Sequence, residues 1–341
     1  MPRDPAPVSV IMPAYNAAGT IQRALASIAA QSLPAAEVIV VDDGSVDATA
    51  EIAERMAAAL GATRLTVIRQ PNKGAGAARN RAIQEATQPI LAFLDADDEW
   101  LPAKLDRSLS VMNEGDYLLV AHDYLDATAD GDVHVDCRRR FEEAPDPYLP
   151  LYLKGYIPSI SVLTRRQAVL DAGGFDETLR NAQDFDLWLK LLADPGTRFT
   201  LFGEALARYH HSEGSIMTHT ERRIACCTTI ALRYAPVLKA RQQPVYRSVL
   251  RRIANIHMEA LRTQPRSSFR YVIRAVSAMI DACRILLNDP QIQIPETGKP
   301  AMRMETVIPA LWVFGILVLY LVQFHGMARP ILQSLGLTLP S

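Results

Sequence analysis

The first ninety-five residues alternate short apolar runs with stretches in which apolar side chains recur at helical spacing. The unbroken apolar runs predict four buried strands, over residues 8–15, 37–41, 64–70 and 90–95. The helical spacing predicts helices over residues 20–31, 48–60 and 72–86. Repeated strand-helix units favour an α/β fold, with a mostly parallel sheet and helices on both of its faces.

Polar residues follow three of these predicted strands directly. They are Tyr15-Asn16 after the first strand, Asp42-Asp43 after the second and Asp95-Ala96-Asp97 after the fourth. Ligands of such sheets bind beyond the carboxyl ends of the strands. We therefore expect these residues to lie at one site.

The pair Asp95 and Asp97 has the Asp-x-Asp spacing that turns two carboxylates toward one cation. Crowded carboxylates repel each other and lose hydration, so a positive partner is needed to keep them ionised. Mg²⁺ or Mn²⁺ would be such a partner, because these ions favour oxygen ligands and complete their shells with phosphates. The alternative is a solvated turn in which Asp98 caps a helix near Pro102.

A glycine-rich stretch, GAGAAR from Gly74 to Arg79, opens the third predicted helix. It differs from a dinucleotide-binding fingerprint because Arg79 replaces the third glycine and because it follows the third strand. With Lys73 and Arg79 it suits an anionic ligand at a helix N-terminus. Asp43, beside Gly44, either forms a local turn or accepts hydrogen bonds from a base or ribose.

Composition limits the other function classes. The 341 residues are 49% hydrophobic and 21% charged, which predicts a main domain with an appendage. A net charge of −1 argues against overall affinity for nucleic acid. The four cysteines lack metal or disulfide spacing, which favours a reducing compartment, and the N-terminus has no apolar segment typical of a secretion signal.

The C-terminal third has a different pattern. Residues 222–290 predict helices broken at Pro236, Pro244 and Pro265, and hold thirteen Lys and Arg against three acidic residues. Interleaved arginines and apolar positions are typical of helices on an anionic membrane surface, or of a solvated basic face on the main domain. Nucleic acid is the least favoured partner, since no recognised binding module is present.

Residues 307–324 carry no charge and are long enough to approach the span of a bilayer core. We predict a single membrane span here, with a buried or re-entrant helix as the alternative. The predicted organisation is an α/β domain over residues 1–220, a basic helical extension over 221–292, a linker over 293–306, the span over 307–324 and a tail over 325–341.

Seven sequence elements in order resemble family 2 glycosyltransferases of the glycosyltransferase A fold. They are VSVIMPAYN, EVIVVDDGSVDAT, NKGAGAARN, ILAFLDADDEWLP, GGFDETL, QDFDLWLKL and RYHHSEGS, and they span roughly residues 8–215. The resemblance implies a metal-dependent, inverting enzyme that moves a sugar from a nucleotide-diphospho-sugar to an acceptor hydroxyl. The implied cofactor is Mn²⁺ or Mg²⁺, and the implied setting is envelope polysaccharide or glycolipid synthesis.

The resemblance also implies roles for individual residues. Asp95 and Asp97 would hold the metal, with Asp97 as the favoured direct ligand, and His210 of the Arg208-x-His210 element would assist, with His211 as its competitor. The residues implied in nucleotide binding are Pro13, Tyr15, Asn16, Asp43, Lys73, Arg79 and Asp95.

The general base implied by the resemblance is Asp184. The family's acidic pair reads Gln183-Asp184 here, which predicts a slightly weaker base because like charges raise each other's pKa. The alternative is that Asp184 only caps an amphipathic helix whose Phe185 and Trp188 point inward. The GGFDE stretch is interpreted as architectural.

The expected partners are a nucleotide-sugar donor, a lipid-linked or saccharide acceptor and a membrane surface. The expected location is the cytoplasmic face of the inner membrane, with which the slight excess of basic residues before residue 307 agrees. One rival is a sugar nucleotidyltransferase, disfavoured because PAYNAAGTIQRA lacks a glycine-rich basic loop. The other is an inactive sugar-nucleotide-binding module, which Gln183 keeps open.

Overall fold

A computed structural model describes residues 4–211, 220–263, 268–289 and 292. The chain divides into two compact units between Cys226 and Cys227, a few residues beyond the predicted boundary at residue 220. All four cysteines are free, as expected from their spacing.

The first unit contains eleven strands and eight α-helices among its described residues. The strands are β1 (Ala6–Ala14), β2 (Ala35–Asp42), β3 (Arg64–Arg69), β4 (Ile90–Phe93), β5 (Glu99–Trp100), β6 (Leu119–His122), β7 (Tyr124–Thr128), β8 (Gly131–Val135), β9 (Leu163–Arg165), β10 (Phe199–Phe202) and β11 (Ala207–His210). The helices are α1 (Ile21–Ala29), α2 (Thr49–Arg55), α3 (Ala75–Glu85), α4 (Lys104–Gly115), α5 (Cys137–Phe141), α6 (Tyr148–Lys154), α7 (Arg166–Asp171) and α8 (Gln183–Leu191), with a short 3₁₀ helix at Ser159–Ser161.

The main sheet has seven strands in the order β10-β6-β9-β4-β1-β2-β3. Strands β4, β1, β2 and β3 run parallel, and only β9 is antiparallel to its neighbours β4 and β6. Strands β1, β2 and β4 are buried almost throughout because helices cover both faces, which explains their unbroken apolar runs. The predicted mostly parallel α/β sheet is confirmed.

A second sheet of four short strands, in the order β5-β11-β7-β8, was not predicted. Strand β11 pairs antiparallel with β5, so that Ala207 lies opposite Trp100 and Arg208 opposite Glu99. Strand β5 directly follows the Asp-x-Asp stretch. The pairing therefore brings the Arg208-x-His210 element beside the acidic loop.

The remaining helices are α9 (Thr220–Arg233), within which the two units divide, α10 (Ala235–Ala240), α11 (Val245–Thr263) and α12 (Ser268–Asn288). Pro236 lies in the first turn of α10 and Pro244 immediately precedes α11, so both prolines mark helix starts as predicted. Pro265 and the segments predicted as linker, span and tail lie outside the described residues. Among the helices that are described, none combines the length and apolar character needed to cross a bilayer.

Candidate active site

A buried arginine interacts with aspartates from two distant parts of the chain, the Asp-x-Asp stretch and the start of α8. Arg79 Nη2 donates to Asp95 Oδ1 at 2.6 Å. Burial alone lowers the pKa of Arg79. Four interactions outweigh burial and raise this pKa above its ordinary value: the charge of Asp95, the charge of Asp184, the hydrogen bond to Asp95 and the charge of Asp97. A buried guanidinium needs such compensation. The fold thus brings Asp184 and the Asp-x-Asp pair to the same cation.

An aromatic cluster joins the strand that precedes Asp95 to the helix that carries Asp184. Phe93 ends β4, and its ring centroid lies 5.8 Å from that of Phe175 and 5.6 Å from that of Trp188. Trp188 lies one helical turn after Asp184, on the same side of α8. The Arg79 guanidinium lies 5.4 Å from the centroid of the Phe175 ring. Packing of these rings therefore fixes the position of the Asp95 loop relative to the helix that carries Asp184.

Asp184 lies in the first turn of α8, where a carboxylate is favoured by the helix dipole. Its Oδ1 accepts the N–H of Phe185 at 2.8 Å, and its Oδ2 accepts the hydroxyl of Ser159 at 3.1 Å. The N-cap position belongs to Ala182, so the alternative in which Asp184 caps this helix is wrong. The inward positions Phe185 and Trp188 are buried as predicted.

Gln183, the departure from the family's acidic pair, is buried against α3. Its Nε2 donates to the carbonyl of Leu179 at 2.5 Å, and a Cβ at Gly76 would lie 3.2 Å from that nitrogen. A glutamate at position 183 could not donate this hydrogen bond when ionised. The glutamine therefore has a local structural role at the start of α8.

The GGFDE stretch is fastened to α3 by Asn80. Asn80 Nδ2 donates to the Phe175 carbonyl at 2.9 Å, and the Phe175 N–H donates to Asn80 Oδ1 at 2.8 Å. Gly174 has φ +70°, and a Cβ there would lie 2.5 Å from Asn80 Oδ1. Glycine is needed at this position both for its backbone conformation and for its closeness to Asn80, which agrees with the architectural interpretation of this stretch.

Asp98 is 1% exposed and bonds to strand β11, since its Oδ1 accepts the N–H of His210 at 2.8 Å. Burial, and then the charges of Asp95 and Asp97, raise the pKa of Asp98 well above its ordinary value and favour its neutral form. Helix α4 begins at Lys104 and has no side-chain cap. The expectation that Asp98 caps a helix near Pro102 is therefore wrong, because this carboxyl group fastens the acidic loop to β11 instead.

His210 lies closer to the acidic loop than His211 does. Its buried Nε2 has no hydrogen-bond partner among the described residues and lies 3.8 Å from Glu99 Oε2. Burial, and next the charge of Arg23, lower the pKa of His210, which favours the neutral imidazole that metals bind. His211 Nε2 instead lies 2.7 Å from Asp126 Oδ1.

The residues around the acidic loop have the chemistry of a site for Mn²⁺ or Mg²⁺. Carboxylate oxygens suit both ions, and a neutral imidazole nitrogen such as that of His210 is a common metal ligand in proteins. Within the described part of the chain, no three His, Cys, Asp or Glu side chains are grouped so as to hold a metal by themselves. Mg²⁺ is commonly held by one or two carboxylates together with waters and substrate phosphates, so the Asp95 and Asp97 pair fits such a site.

Asp43 lies beneath the loop that opens α3. Its Oδ1 accepts the Gln70 side-chain amide at 2.8 Å and the Lys73 N–H at 2.9 Å, and its Oδ2 accepts the Gly74 N–H at 2.7 Å. Asp43 is almost fully buried, so it positions this loop from inside the protein. Lys73 is exposed on the same loop.

The residues at the end of β1 differ in exposure. Pro13 is buried within the strand opposite Val41, whereas Tyr15 is 53% exposed. Asn16 has φ +49°, its N–H donates to Ser45 Oγ at 2.9 Å, and its Oδ1 accepts the Val46 N–H at 2.9 Å. These bonds join the β1–α1 and β2–α2 loops and leave the Tyr15 ring at the surface.

Two contacts of this site were not found from the sequence. Ser159 bonds to Asp184, and Arg23 of α1 donates through Nη2 to the backbone carbonyl of Asp97. Neither residue belongs to a recognisable motif. Their roles depend on chain segments that meet only in the folded protein, so spacing along the chain carried no signal for them.

Comparisons with known proteins agree with this architecture. The glycosyl transferase family 2 model matches residues 9–168. Over 243 residues the chain is 36% identical to the succinoglycan biosynthesis protein ExoU of Rhizobium meliloti, covering 64% of this chain and 68% of that protein. Over 217 residues it is 32% identical to the amylovoran biosynthesis glycosyltransferase AmsB of Erwinia amylovora, covering 59% of this chain and 69% of that protein.

Two solved structures share the fold. One is S. aureus TarS 1–349 in complex with UDP-GlcNAc, with a TM-score of 0.64, 23% identity and 82% of each chain covered. The other is the mannosyltransferase PcManGT from Pyrobaculum calidifontis in complex with GDP-Man and Mn²⁺, with a TM-score of 0.56, 21% identity, and 92% of this chain and 87% of that chain covered. Together with the relatives above, they show that this chain has the glycosyltransferase A fold and belongs to glycosyltransferase family 2.

Proposed function

We propose that this glycosyltransferase moves a sugar from a nucleotide-diphospho-sugar to an acceptor hydroxyl, with inversion at the anomeric carbon, during synthesis of an envelope polysaccharide. The observation that carries the proposal is the convergence of Asp95, Asp97 and Asp184 on Arg79. The names of the relatives, which concern succinoglycan and amylovoran biosynthesis, support the polysaccharide setting.

Asp184 is assigned the role of general base. Its carboxylate accepts the proton of the acceptor hydroxyl while the oxygen of that hydroxyl bonds to the anomeric carbon. The bond between that carbon and the diphosphate oxygen breaks, and the electron pair leaves with the nucleoside diphosphate. The hydrogen bonds from Phe185 and Ser159 hold the carboxylate in place, and Arg79 balances its charge.

Asp95 and Asp97 are assigned to hold Mn²⁺ or Mg²⁺ together with the donor diphosphate and waters, and His210 is assigned a supporting role beside the acidic loop. When bound there, the ion would neutralise charge on the departing diphosphate. Asp97 and Asp184 both act on the pKa of Arg79 but lie on different elements, the acidic loop and α8. We assign the leaving group to the Asp97 side and the attacking hydroxyl to the Asp184 side, which is the arrangement that inverts the anomeric carbon.

The nucleotide is assigned to the edge of the sheet formed by the ends of β1 and β2 and the start of α3. The exposed Tyr15 ring offers a surface for the base, and the exposed Lys73 suits the phosphates. Pro13 and Asp43 shape this edge from within, and the exposed Asn16 bonds to the β2–α2 loop. A glycine-opened α3 with Arg79 in its second turn adds positive charge behind the diphosphate.

The donor is tested by thermal stabilisation of the full chain against a panel of nucleotide sugars, including UDP-GlcNAc and GDP-Man, with and without Mn²⁺. A donor at 100 times its Kd is expected to stabilise the protein by about 2.7 kcal/mol, and more weakly without the ion. Absence of stabilisation by every donor would contradict the proposal. Binding without any transfer would favour the inactive module, and pyrophosphate release from a nucleoside triphosphate and a sugar phosphate would favour the nucleotidyltransferase.

We assign the acceptor to a lipid-linked or saccharide precursor at the cytoplasmic face of the inner membrane. Helix α12 supports a membrane-surface contact, because Ile280, Ile285 and Leu287 are exposed on it beside the exposed Arg284. A chain that ends at residue 300, in which the predicted span is absent, is expected to float with phosphatidylglycerol vesicles at low salt, and less at high salt. An Ile280→Ser/Leu287→Ser variant of that shortened chain is expected to float less than its unsubstituted form, and equal flotation would contradict this role of α12.

A further inference from the structure

We propose that Ser159 is a positioning residue for Asp184, and that the 3₁₀ helix Ser159–Ser161 sets the placement of Asp184 relative to the Asp-x-Asp loop. This inference rests on the proposed role of Asp184 as the general base. It adds a residue from a segment between the acidic loop and α8 that belongs to none of the seven family elements.

The contact between the two side chains is specific. Ser159 Oγ lies 3.1 Å from Asp184 Oδ2, and Ser159 is 5% exposed. Asp184 Oδ1 is held from the other side by the Phe185 N–H. With one bond to each oxygen, the carboxylate plane has a defined orientation. Each oxygen retains lone pairs that can accept the proton of an incoming hydroxyl.

The 3₁₀ helix is itself fastened to the segment that follows the acidic loop. Trp100 of β5 donates through Nε1 to the Ile160 carbonyl at 2.9 Å, in a bond that is buried. Lys104, at the start of α4, donates through Nζ to the Val162 carbonyl at 3.4 Å. Ser159 therefore lies on a turn whose backbone is held by residues that directly follow Asp97 and Asp98.

The turn also has internal bonds that keep its shape. The Ser161 N–H donates to the Pro158 carbonyl at 3.1 Å, and the Val162 N–H donates to the Ser159 carbonyl at 3.0 Å. Two hydrogen bonds thus connect the acidic loop to Asp184. Trp100, which follows the loop in the chain, bonds to Ile160 of the turn, and the neighbouring Ser159 bonds to Asp184. Small displacements of a catalytic group lower the rate strongly. This path is therefore suited to fix the position of the base relative to the Asp-x-Asp pair.

The test uses variants that separate the hydroxyl from the shape of the side chain. Ser159→Thr and Ser159→Val have nearly the same volume and differ in the hydroxyl. Ser159→Val is expected to lower kcat by about 10–100-fold, because a hydrogen bond to a charged group is lost, whereas Ser159→Thr stays within about threefold of wild type. The KM for the donor is expected to be unchanged in both variants, because the side chain at position 159 is not part of the proposed nucleotide site.

Ser161→Ala is the matched control. Ser161 is buried on the same turn, and its hydroxyl bonds to Pro158 and not to Asp184. Its kcat is expected to stay near wild type. In Ser159→Val alone, kcat is expected to fall while the donor KM stays unchanged, and the conservative Ser159→Thr is expected to restore kcat. A purely structural role would not give this split between kcat and KM, nor rescue by the hydroxyl.

The variants are first compared by melting temperature, and Ser159→Ala replaces the Thr and Val pair if the added methyl groups prevent folding. Equal kcat in Ser159→Val and Ser159→Thr would overturn the inference, as would an equal loss in Ser161→Ala. Asp184→Asn is measured in parallel. If that variant keeps full activity, the proposed base is wrong; if it is inactive while Ser159→Val and Ser159→Ala match wild type, only the positioning role fails.

Discussion

Replacing Asp184 by asparagine is expected to lower kcat by about 10²–10⁴-fold, the range that a positioned general base contributes. Asparagine keeps the shape of the side chain: its Oδ1 can still accept the Phe185 N–H, and its Nδ2 can donate to the Ser159 hydroxyl. It cannot take up the proton of the acceptor. Donor binding is therefore expected to stay near wild type. The measurements are kcat for sugar transfer and the donor Kd by calorimetry in the presence of Mn²⁺.

Asp171→Asn is the control for Asp184→Asn, since Asp171 is an exposed aspartate at the end of α7 whose carboxylate bonds to Gln167. Its kcat is expected to match wild type. Full turnover by Asp184→Asn would remove this residue from the base role. A matching loss in both variants would show that the effect comes from something other than proton transfer.

Replacing Asp97 by asparagine is expected to weaken Mn²⁺-dependent donor binding by at least about 100-fold, because the ion loses a charged oxygen ligand that also balances the donor diphosphate. Binding of the donor without the ion is expected to change little. Calorimetric titration of the donor, with Mn²⁺ and with a chelator, measures both quantities.

Asp98→Asn is the matched control for Asp97→Asn, one residue further along the same loop. Burial and the neighbouring charges raise the pKa of Asp98 and favour its neutral form, so asparagine preserves its charge. Its effect on Mn²⁺-dependent binding is expected to be much smaller than that of Asp97→Asn. Equal effects of the two variants, or transfer that continues in a chelator, would contradict the metal assignment.

The strands and helices of the first ninety-five residues were predicted to within a few residues, except that α2 ends at Arg55 and not near residue 60. Strands β1, β2 and β4 are buried on both faces and form long apolar runs that need no knowledge of their partners. The second sheet was missed because its strands have only two to five residues and because β11 pairs with β5 and β7, which lie far before it in the chain. Short strands of this kind have no periodicity of their own.

The partners of the buried charged groups were likewise set by the tertiary fold and not by local sequence patterns. A helix cap at Asp98 was the alternative that local spacing offered, but in the folded chain Asp98 bonds to His210, which is more than one hundred residues away. Arg79 was interpreted as a ligand for an anion, and the structure adds an ion pair with Asp95. Both differences arise because a buried charged or polar group takes its partner from whatever segment packs against it, and that segment is set by the tertiary fold.

By itself, the order of apolar runs and polar strand ends determined the parallel sheet, and the seven matching elements determined the family. The same elements supplied the acidic residues that are proposed for the site. The tertiary structure alone decided that Arg79 pairs with Asp95 and also interacts with the charges of Asp97 and Asp184. It also decided that His210 and not His211 bonds to the acidic loop, and that Ser159 bonds to Asp184. The physical reason is that backbone periodicity is a local property of the chain, whereas charge compensation and side-chain hydrogen bonding depend on which distant segments meet.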